Sequence, residues 1–387
     1  MDKNLLLHKH DEKYLASPYN VFSLSKSRKW IIRNLDSMEE EEYSVGDILK
    51  KCEEAKSYSV LADEFGKTQI DNLISKRFLV CDVEKWRLHS VLNAEIETTT
   101  ICNNRCVYCP VRYNPKDSKV MSMELFGYII DKIGQYGKIE YVTFNSYNEP
   151  CIDPYFIQRA EIVSKTNMKM LLNTNGTRLD KKMIERLFEM KVLDRITFNL
   201  PTIDCAEYER LTSNKGLTNV LEAIDYCINL GLNVHISVQG TKEELKKNLR
   251  QINDRFSYHF HNSIKGSNTV DRGGTLSNQY SQNIDIEGKL YGGCHKLTQW
   301  INISVDGDFF ICCNDYYQKS TYASIFDGSL EQIINSEKAI LNRKYIFGDC
   351  DAPKDYLCRH CDLMKTAEYM YDKGMHNQIK RAQVIKK

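Results

Sequence analysis

The chain has almost no charge of one sign to spare: 53 basic and 52 acidic side chains leave a formal net of +1 over 387 residues. No global field draws it to nucleic acid or to a membrane surface. Long hydrophobic runs are missing too, so no segment approaches membrane-spanning length. The opening Met1-Asp2-Lys3-Asn4-Leu5-Leu6-Leu7-His8 has too short an apolar core for a signal peptide. A cytoplasmic protein with no nucleic-acid and no membrane partner is the expectation. Hydrophobic residues at 42% and charged residues at 27% describe an ordinary globular composition. The length accommodates a barrel-sized domain with one or two smaller ones.

A reducing compartment also removes disulfides as the reason for 14 cysteines and points to metal instead. Cys52, Cys81, Cys151, Cys205 and Cys227 are scattered and read as small buried hydrophobes. The others cluster. Cys102, Cys106 and Cys109 form a CxxxCxxC run directly after the strand-like segment 92–99, and no fourth cysteine is near enough in sequence to close the set. Three thiolates hold three corners of a four-iron cluster and leave one iron open to a substrate or cofactor. They can equally hold zinc with a distant fourth ligand, although structural zinc sites usually come as two CxxC-like pairs.

From residue 92 onward, short β-branched segments alternate with amphipathic ones. The pattern predicts strands at 92–99, 139–144, 169–173, 195–199, 233–239 and 255–261, with helices at 122–136, 153–165, 180–190, 217–230 and 242–254. In the first helix Leu125, Ile129 and Ile133 share a face. Such repetition makes a parallel sheet with helical crossovers, six units make an open barrel, and chemistry gathers at the C-terminal strand ends. Ahead of it the sequence predicts a strand at 19–24, a helix at 28–35, a solvated acidic loop at 39–42, helices at 47–54 and 67–75, and a strand at 78–80. Behind it, Cys294, Gly307 and Cys312 give C-x12-G-x4-C, with Gly307 turning a hairpin between Ile301-Asn302-Ile303 and Phe309-Phe310-Ile311. Cys358-Arg359-His360-Cys361 closes a second set of four thiolates, suited to a cluster or to zinc. No cysteine follows Cys361; Cys313 and Cys350 stay unassigned, with Cys350 the favoured spare ligand.

The CxxxCxxC run, with Tyr108 before its third cysteine and a strand just upstream, resembles the radical S-adenosylmethionine (SAM) superfamily. The resemblance implies an α/β fold: a partial (βα)6 TIM-like barrel over 91–265, in which Cys102, Cys106 and Cys109 bind a [4Fe-4S] cluster and SAM chelates the open iron. One electron then cleaves SAM to a 5'-deoxyadenosyl radical that takes hydrogen from an unactivated C–H bond. The run Asn145-Ser146-Tyr147-Asn148-Glu149-Pro150 stands where the family has Gly-Gly-Glu-Pro; Glu149 and Pro150 match, while Tyr147 and Asn148 replace the glycines. The implied cofactor-binding residues are Tyr108, Glu149, Asn173, Asn175, Asn199, Ser237 and Gln239.

Residues 266–387 resemble the twitch domain, a small α+β relative of the SPASM domain, which implies one auxiliary iron-sulfur cluster on Cys294, Cys312, Cys358 and Cys361. The full SPASM pattern, with CxxC-x5-C-x3-C, is not present. Residues 1–90 resemble in element order a winged-helix module, which in peptide-maturing members grips a precursor's leader; a structural cap on the barrel is the alternative. The implied function is hydrogen abstraction from a ribosomally made precursor peptide, giving a crosslink or epimerisation, with a flavodoxin or ferredoxin as electron donor. The alternative is a twitch-type dehydrogenase of an aminocyclitol or sugar carbinol. Asp306, His295, Asp315, Tyr316 and Tyr317 lie near the auxiliary cysteines as candidate proton acceptors, and the sequence does not select among them.

Overall fold

The computed structural model describes residues 12–24, 30–256, 264–268, 272, 275–276, 285–290, 294–361 and 364. Six strands, Asn93–Ile96, Tyr141–Thr143, Lys169–Thr174, Leu193–Asn199, Val234–Gly240 and Ile264–Asn268, lie side by side in chain order, each parallel to the next. The side chains alternate as a half-buried strand requires. In the fifth strand Val234, Ile236 and Val238 are buried against the helices, whereas His235, Ser237 and Gln239 are half-buried on the other face. One face therefore makes core, and the other leaves polar groups at the barrel interior.

The crossover helices start and stop where local chemistry dictates. Ser122 caps Met123–Tyr136 by accepting a hydrogen bond from the Leu125 amide at 3.1 Å, and Gly137 ends it in the left-handed region at φ 72°. Its buried stripe, Phe126, Ile129, Ile130 and Ile133, contributes roughly 1.5–3 kcal/mol per side chain. Asp180 caps Lys181–Glu189 in the same way. A helix that periodicity did not reveal, Cys205–Thr212, follows the fourth strand and is capped by Asp204. The predicted strand at 255–261 is displaced: Arg255 and Phe256 close the helix Lys242–Phe256, residues 257–261 lie outside the described residues, and the sixth strand is Ile264–Asn268. Phe256 is buried at helical spacing from Ile252, so the 3.6-residue period extends through it.

The sheet does not end at its first strand. Trp300–Ile303 lies parallel to Asn93–Ile96, with Trp300 opposite Asn93 and Ile303 opposite Ile96. The predicted hairpin follows, pairing Asn302 with Phe310 and Ile303 with Phe309, and Ala323–Ser324 closes a nine-stranded sheet. At the turn, Gly307 has φ 89°, and a Cβ there would stand 3.0 Å from Ile325 Cγ2.

The N-terminal elements are richer in strands than the sequence suggests. Lys13–Ala16, Lys56–Ser57 and Leu79–Cys81 form one small sheet; Asn20–Leu24, Trp30–Asn34 and Glu40–Glu42 form another. The predicted helix at 28–35 is thus a strand. Burial alternates along it, with Ile32 and Asn34 buried while Ile31 and Arg33 are half-buried, a two-residue period that β-branched Ile31 and Ile32 favour. The acidic 39–42 run is likewise an edge strand rather than a loop, its Glu40 paired with Arg33 and its Glu41 with Lys76. Helices Gly46–Lys51, Tyr58–Phe65 and Lys67–Ser75 pack around Leu49, Leu61, Ile70, Leu73 and Phe78. Tyr19 and Leu35 instead join the main core, where Tyr19 meets Trp86 and Phe347 edge-on. The Asp36 carboxylate, wholly buried, accepts from the His89 amide and pairs with Arg77 at 2.6 Å.

Candidate functional site

The three-cysteine loop is held on both sides. The Thr100 amide donates to Lys119 O, while the Arg105 and Val107 amides donate to Thr212 O and Leu211 O at the end of Cys205–Thr212. Cys106 and Tyr108 pack on Leu211. Burial pushes the Cys102 thiol up to about 12 and lifts Cys106 and Cys109 as well; Glu149 and Cys109 add to the rise at Cys102, and Cys109 and Cys102 to that at Cys106. Thiols so costly to ionise bare are deprotonated outright by a metal centre, so this donor set fits a cationic cluster.

Beside this loop a cavity of about 320 Å³ opens at the strand ends. All seven residues expected to hold SAM line it: Tyr108, Glu149, Asn173, Asn175, Asn199, Ser237 and Gln239. The three cysteines line it too. Glu149 is fully engaged, accepting from the Asn175 amide and Thr174 Oγ1 at 2.6 Å and from the Cys151 amide at 3.1 Å. Burial raises its pKa, and these donors partly oppose the rise. Its own amide donates to Ile101 O at 2.9 Å, tying the second strand end to the cysteine loop. Asn175 reaches Asn103 Oδ1, and Thr177 returns two hydrogen bonds to Asn175 Oδ1. Asn199 Nδ2 donates to the Tyr108 hydroxyl at 3.5 Å, while Asn199 Oδ1 is buried without a hydrogen bond. An orphaned acceptor on the cavity wall suits the hydroxyl or ammonium of a bound ligand.

The missing glycines cost nothing here. Neither Tyr147 nor Asn148 has positive φ, so the backbone does not require glycine at either position. Asn148 stabilises the turn by accepting from the Ser146 amide and donating to Phe144 O. Tyr147 lies edge-on to Tyr316 at 4.8 Å, joining this strand end to the C-terminal region.

Cys294, Cys312, Cys358 and Cys361 form the second group. Burial lifts the Cys358 thiol, and the Cys361 and Cys294 thiols push it further; Cys312 responds in the same way to Cys313, Cys358 and Cys294. Asn314 bridges the group, its amide donating to Cys312 Sγ and its side chain to Cys361 Sγ. Among the described residues no three Cys, His, Asp or Glu side chains converge closely enough for a single ion. The Cys350 thiol is raised by burial, with Asp349 and Asp351 adding to the rise and Lys344 and Lys289 opposing it. Cys313 instead lines the barrel cavity.

None of the five candidate proton acceptors lines that cavity. Asp306 pairs with Lys119 at the surface, and Asp315 accepts from Lys319 and Ser320. Tyr316 donates to Asn114 O, Tyr317 accepts from Asn114 Nδ2, and burial with the Lys296 charge lowers the His295 pKa. The cavity holds two groups that motif reading missed, Glu95 in the first strand and Arg272. The alternation of Ala94 and Ile96 in the core with Glu95 between them was the available signal.

Comparison with known proteins agrees with this geometry. Residues 96–245 match the model of the radical SAM superfamily, and residues 294–362 match that of SPASM, an iron-sulfur cluster-binding domain. A mitochondrial GTP 3',8-cyclase of Arabidopsis thaliana is 28% identical over 50% of this chain and 49% of its own length. The chain spans about half the length of the first curated relatives it matches. An S-adenosyl-L-methionine-dependent 2-deoxy-scyllo-inosamine dehydrogenase of Niallia circulans is 21% identical over 72% of this chain and 96% of its own length. Among solved structures, Streptococcus suis SuiB bound to precursor peptide SuiA superposes with a TM-score of 0.58 at 14% identity, covering 90% of this chain and 93% of that one. Native anSMEcpe with bound AdoMet and Kp18Cys peptide gives 0.53 at 14% identity, covering 76% and 99%. The family implies a [4Fe-4S] cluster with SAM, and the C-terminal domain implies auxiliary iron-sulfur binding. The chain therefore carries a radical SAM domain, the mark of a superfamily of enzymes, and after it an iron-sulfur cluster-binding SPASM domain.

Proposed function

We propose that this chain is a radical SAM oxidoreductase that modifies a ribosomally made precursor peptide. The observation that carries the chemistry is the single cavity shared by Cys102, Cys106, Cys109 and the polar ends of successive strands. Those cysteines would hold the four-iron cluster, and Glu149, Asn173, Asn175, Asn199, Ser237, Gln239 and Tyr108 would contact SAM. The bound pair supplies one-electron cleavage of SAM and a radical able to take hydrogen from a C–H bond. The protein orients Asn175 through Glu149 and Asn103, and packs Cys106 and Tyr108 of the cysteine loop on Leu211. Cys294, Cys312, Cys358 and Cys361 would hold an auxiliary cluster as an electron acceptor.

The reading divides the chain into a leader-recognition module over 1–90, the barrel over 91–265 and the auxiliary domain over 266–387. Supporting a peptide substrate, the fold likeness to SuiB runs through 90% of the chain and so takes in N-terminal elements. Co-expression with a short precursor encoded beside the gene should give a mass loss of about two daltons per crosslink, two hydrogens being removed. An unchanged peptide alongside vigorous SAM cleavage would count against it. One observation favours a second reading, a small-molecule carbinol dehydrogenase: the likeness to the Niallia circulans enzyme covers nearly that whole protein. Turnover of 2-deoxy-scyllo-inosamine with no change in any precursor would establish that reading instead.

A further inference from the structure

Three buried carboxylates lie at or near the mouth of this barrel, and two of them are spent. Glu149 has its three donors. Glu97, which is 1% exposed, accepts from Lys116 Nζ at 2.8 Å and Gln318 Nε2 at 2.7 Å. Glu95 differs from both. It is 7% exposed, it lines the cavity, and its carboxylate makes no hydrogen bond among the described residues. In the sheet it stands between Thr143 of the second strand and Asn302 of the seventh, its two register partners. It therefore occupies the seam where the barrel meets the auxiliary domain. Cys313, next in sequence to the expected ligand Cys312, lines the same cavity.

We propose that Glu95 is the proton acceptor for the substrate in this cavity, an assignment that rests on the radical SAM reading above. The step balances as follows. One hydrogen atom leaves a substrate C–H bond to the 5'-deoxyadenosyl radical, giving 5'-deoxyadenosine. The substrate radical then forms its new bond, or carbon-heteroatom double bond, as an adjacent N–H, O–H or C–H proton passes to Glu95 and one electron leaves for the iron-sulfur cluster that Cys294, Cys312, Cys358 and Cys361 would hold. The substrate loses two hydrogens, Glu95 becomes the neutral acid, and the auxiliary cluster is reduced by one electron. A carboxylate that makes no hydrogen bond among the described residues and lines the cavity beside Cys313 can take the proton as the electron leaves.

The electrostatics agree. The Glu95 carboxyl is raised to about 7, chiefly by burial and then by Glu97, with Lys296 and Arg272 opposing the rise. Cys313 lines the same cavity and feels its charge, which adds to the burial that raises its thiol. A group poised there exists as base and as acid in comparable amounts near neutrality. Acceptor capacity grows as pH rises through that value, because the carboxylate is the competent form.

Two measurements test the assignment. Infrared difference titration of the anaerobic holoenzyme should show a carboxylic-acid band that disappears with a midpoint near pH 7 and is missing from Glu95→Gln. With dithionite, SAM and the full-length precursor that passes the co-expression test, the product formed per 5'-deoxyadenosine should fall at least ~100-fold in Glu95→Gln. Glu95→Asp should restore part of that ratio with a displaced pH profile. Equal ratios in wild type and Glu95→Gln, with 5'-deoxyadenosine formed by both, would overturn the role of Glu95 and leave the radical reading standing. Absence of 5'-deoxyadenosine from the wild type would overturn the radical reading and this assignment with it. A titration midpoint near 4, the ordinary carboxylate range, would also overturn it.

Discussion

Gly176 shows how a single residue can set the cavity. It follows the third strand with φ +76°, and a Cβ there would stand 2.9 Å from Phe198 Cδ1 and 3.1 Å from Val220 Cγ1. Both the conformation and the space exclude a side chain. Gly176→Ala should therefore cost on the order of 2–4 kcal/mol and weaken SAM binding through Asn175, measurable by thermal unfolding and by equilibrium dialysis with labelled SAM. An unchanged melting temperature would contradict this. Much at this scale was legible. The triad of cysteines, Glu149 and the strand-end amides all sit where spacing put them, since a CxxxCxxC loop and a strand-end rule each fix position without tertiary knowledge. Glu95 was not legible, because an acid inside a strand reads equally well as a solvent-facing residue until the seventh strand is seen to cover its flank. The Tyr147 and Asn148 replacements looked costly only because the turn's φ values cannot be read from composition.

Among the elements, the errors have one physical source. Trp30–Asn34 reads as a helix and Ile264–Asn268 is displaced because short segments carry little periodicity, and a run of five residues satisfies helix and strand templates alike. Cys205–Thr212 escaped for the same reason, being two turns long with only Tyr208, Leu211 and Thr212 among its buried residues beyond the loop it supports. The hairpin around Gly307 was found because a turn glycine flanked by apolar triplets is a strong local signal. That hairpin joins Cys294 and Cys312 to the Cys358 and Cys361 knuckle, which gives a test of the auxiliary centre. Anaerobic wild type should carry about eight irons per chain, and Cys358→Ala about four, with the SAM-responsive signal retained. A loss of zinc instead of iron would show that the four thiolates hold a single ion.

For the whole molecule, the N-terminal region carries a buried charge cluster of Asp36, Arg77 and His89 at its border with the barrel. Burial alone would raise the Asp36 carboxyl, but His89 and Arg77 outweigh it and hold the pKa below the ordinary range. A depressed carboxylate contributes stability that is complete above its unfolded value near 4 and is lost as pH falls through the folded value. Asp36→Asn leaves Arg77 without its partner and should destabilise the chain by about 3 kcal/mol at pH 7, while flattening the acid side of its stability profile. Urea unfolding at several pH values reads both effects. Gln299 fastens the same junction by donating to Leu35 O and Asp36 O, so excising residues 1–90 would strip Tyr19 and Leu35 from the main core as well as any leader contact. Point changes on the outer face of the module separate those roles better than truncation does.

The parallel pairing of Trp300–Ile303 with Asn93–Ile96 also imposes an order of events on biosynthesis. The three-cysteine loop leaves the ribosome roughly two hundred residues before its sheet neighbour, an interval of about 10–40 s at ordinary elongation rates. Throughout that time the nascent loop has only one flank covered, and its thiols face oxidants and competing metal ions. Iron delivery by the cell's cluster-assembly machinery is therefore best timed after translation has passed the hairpin, when the nursery side of the sheet has closed.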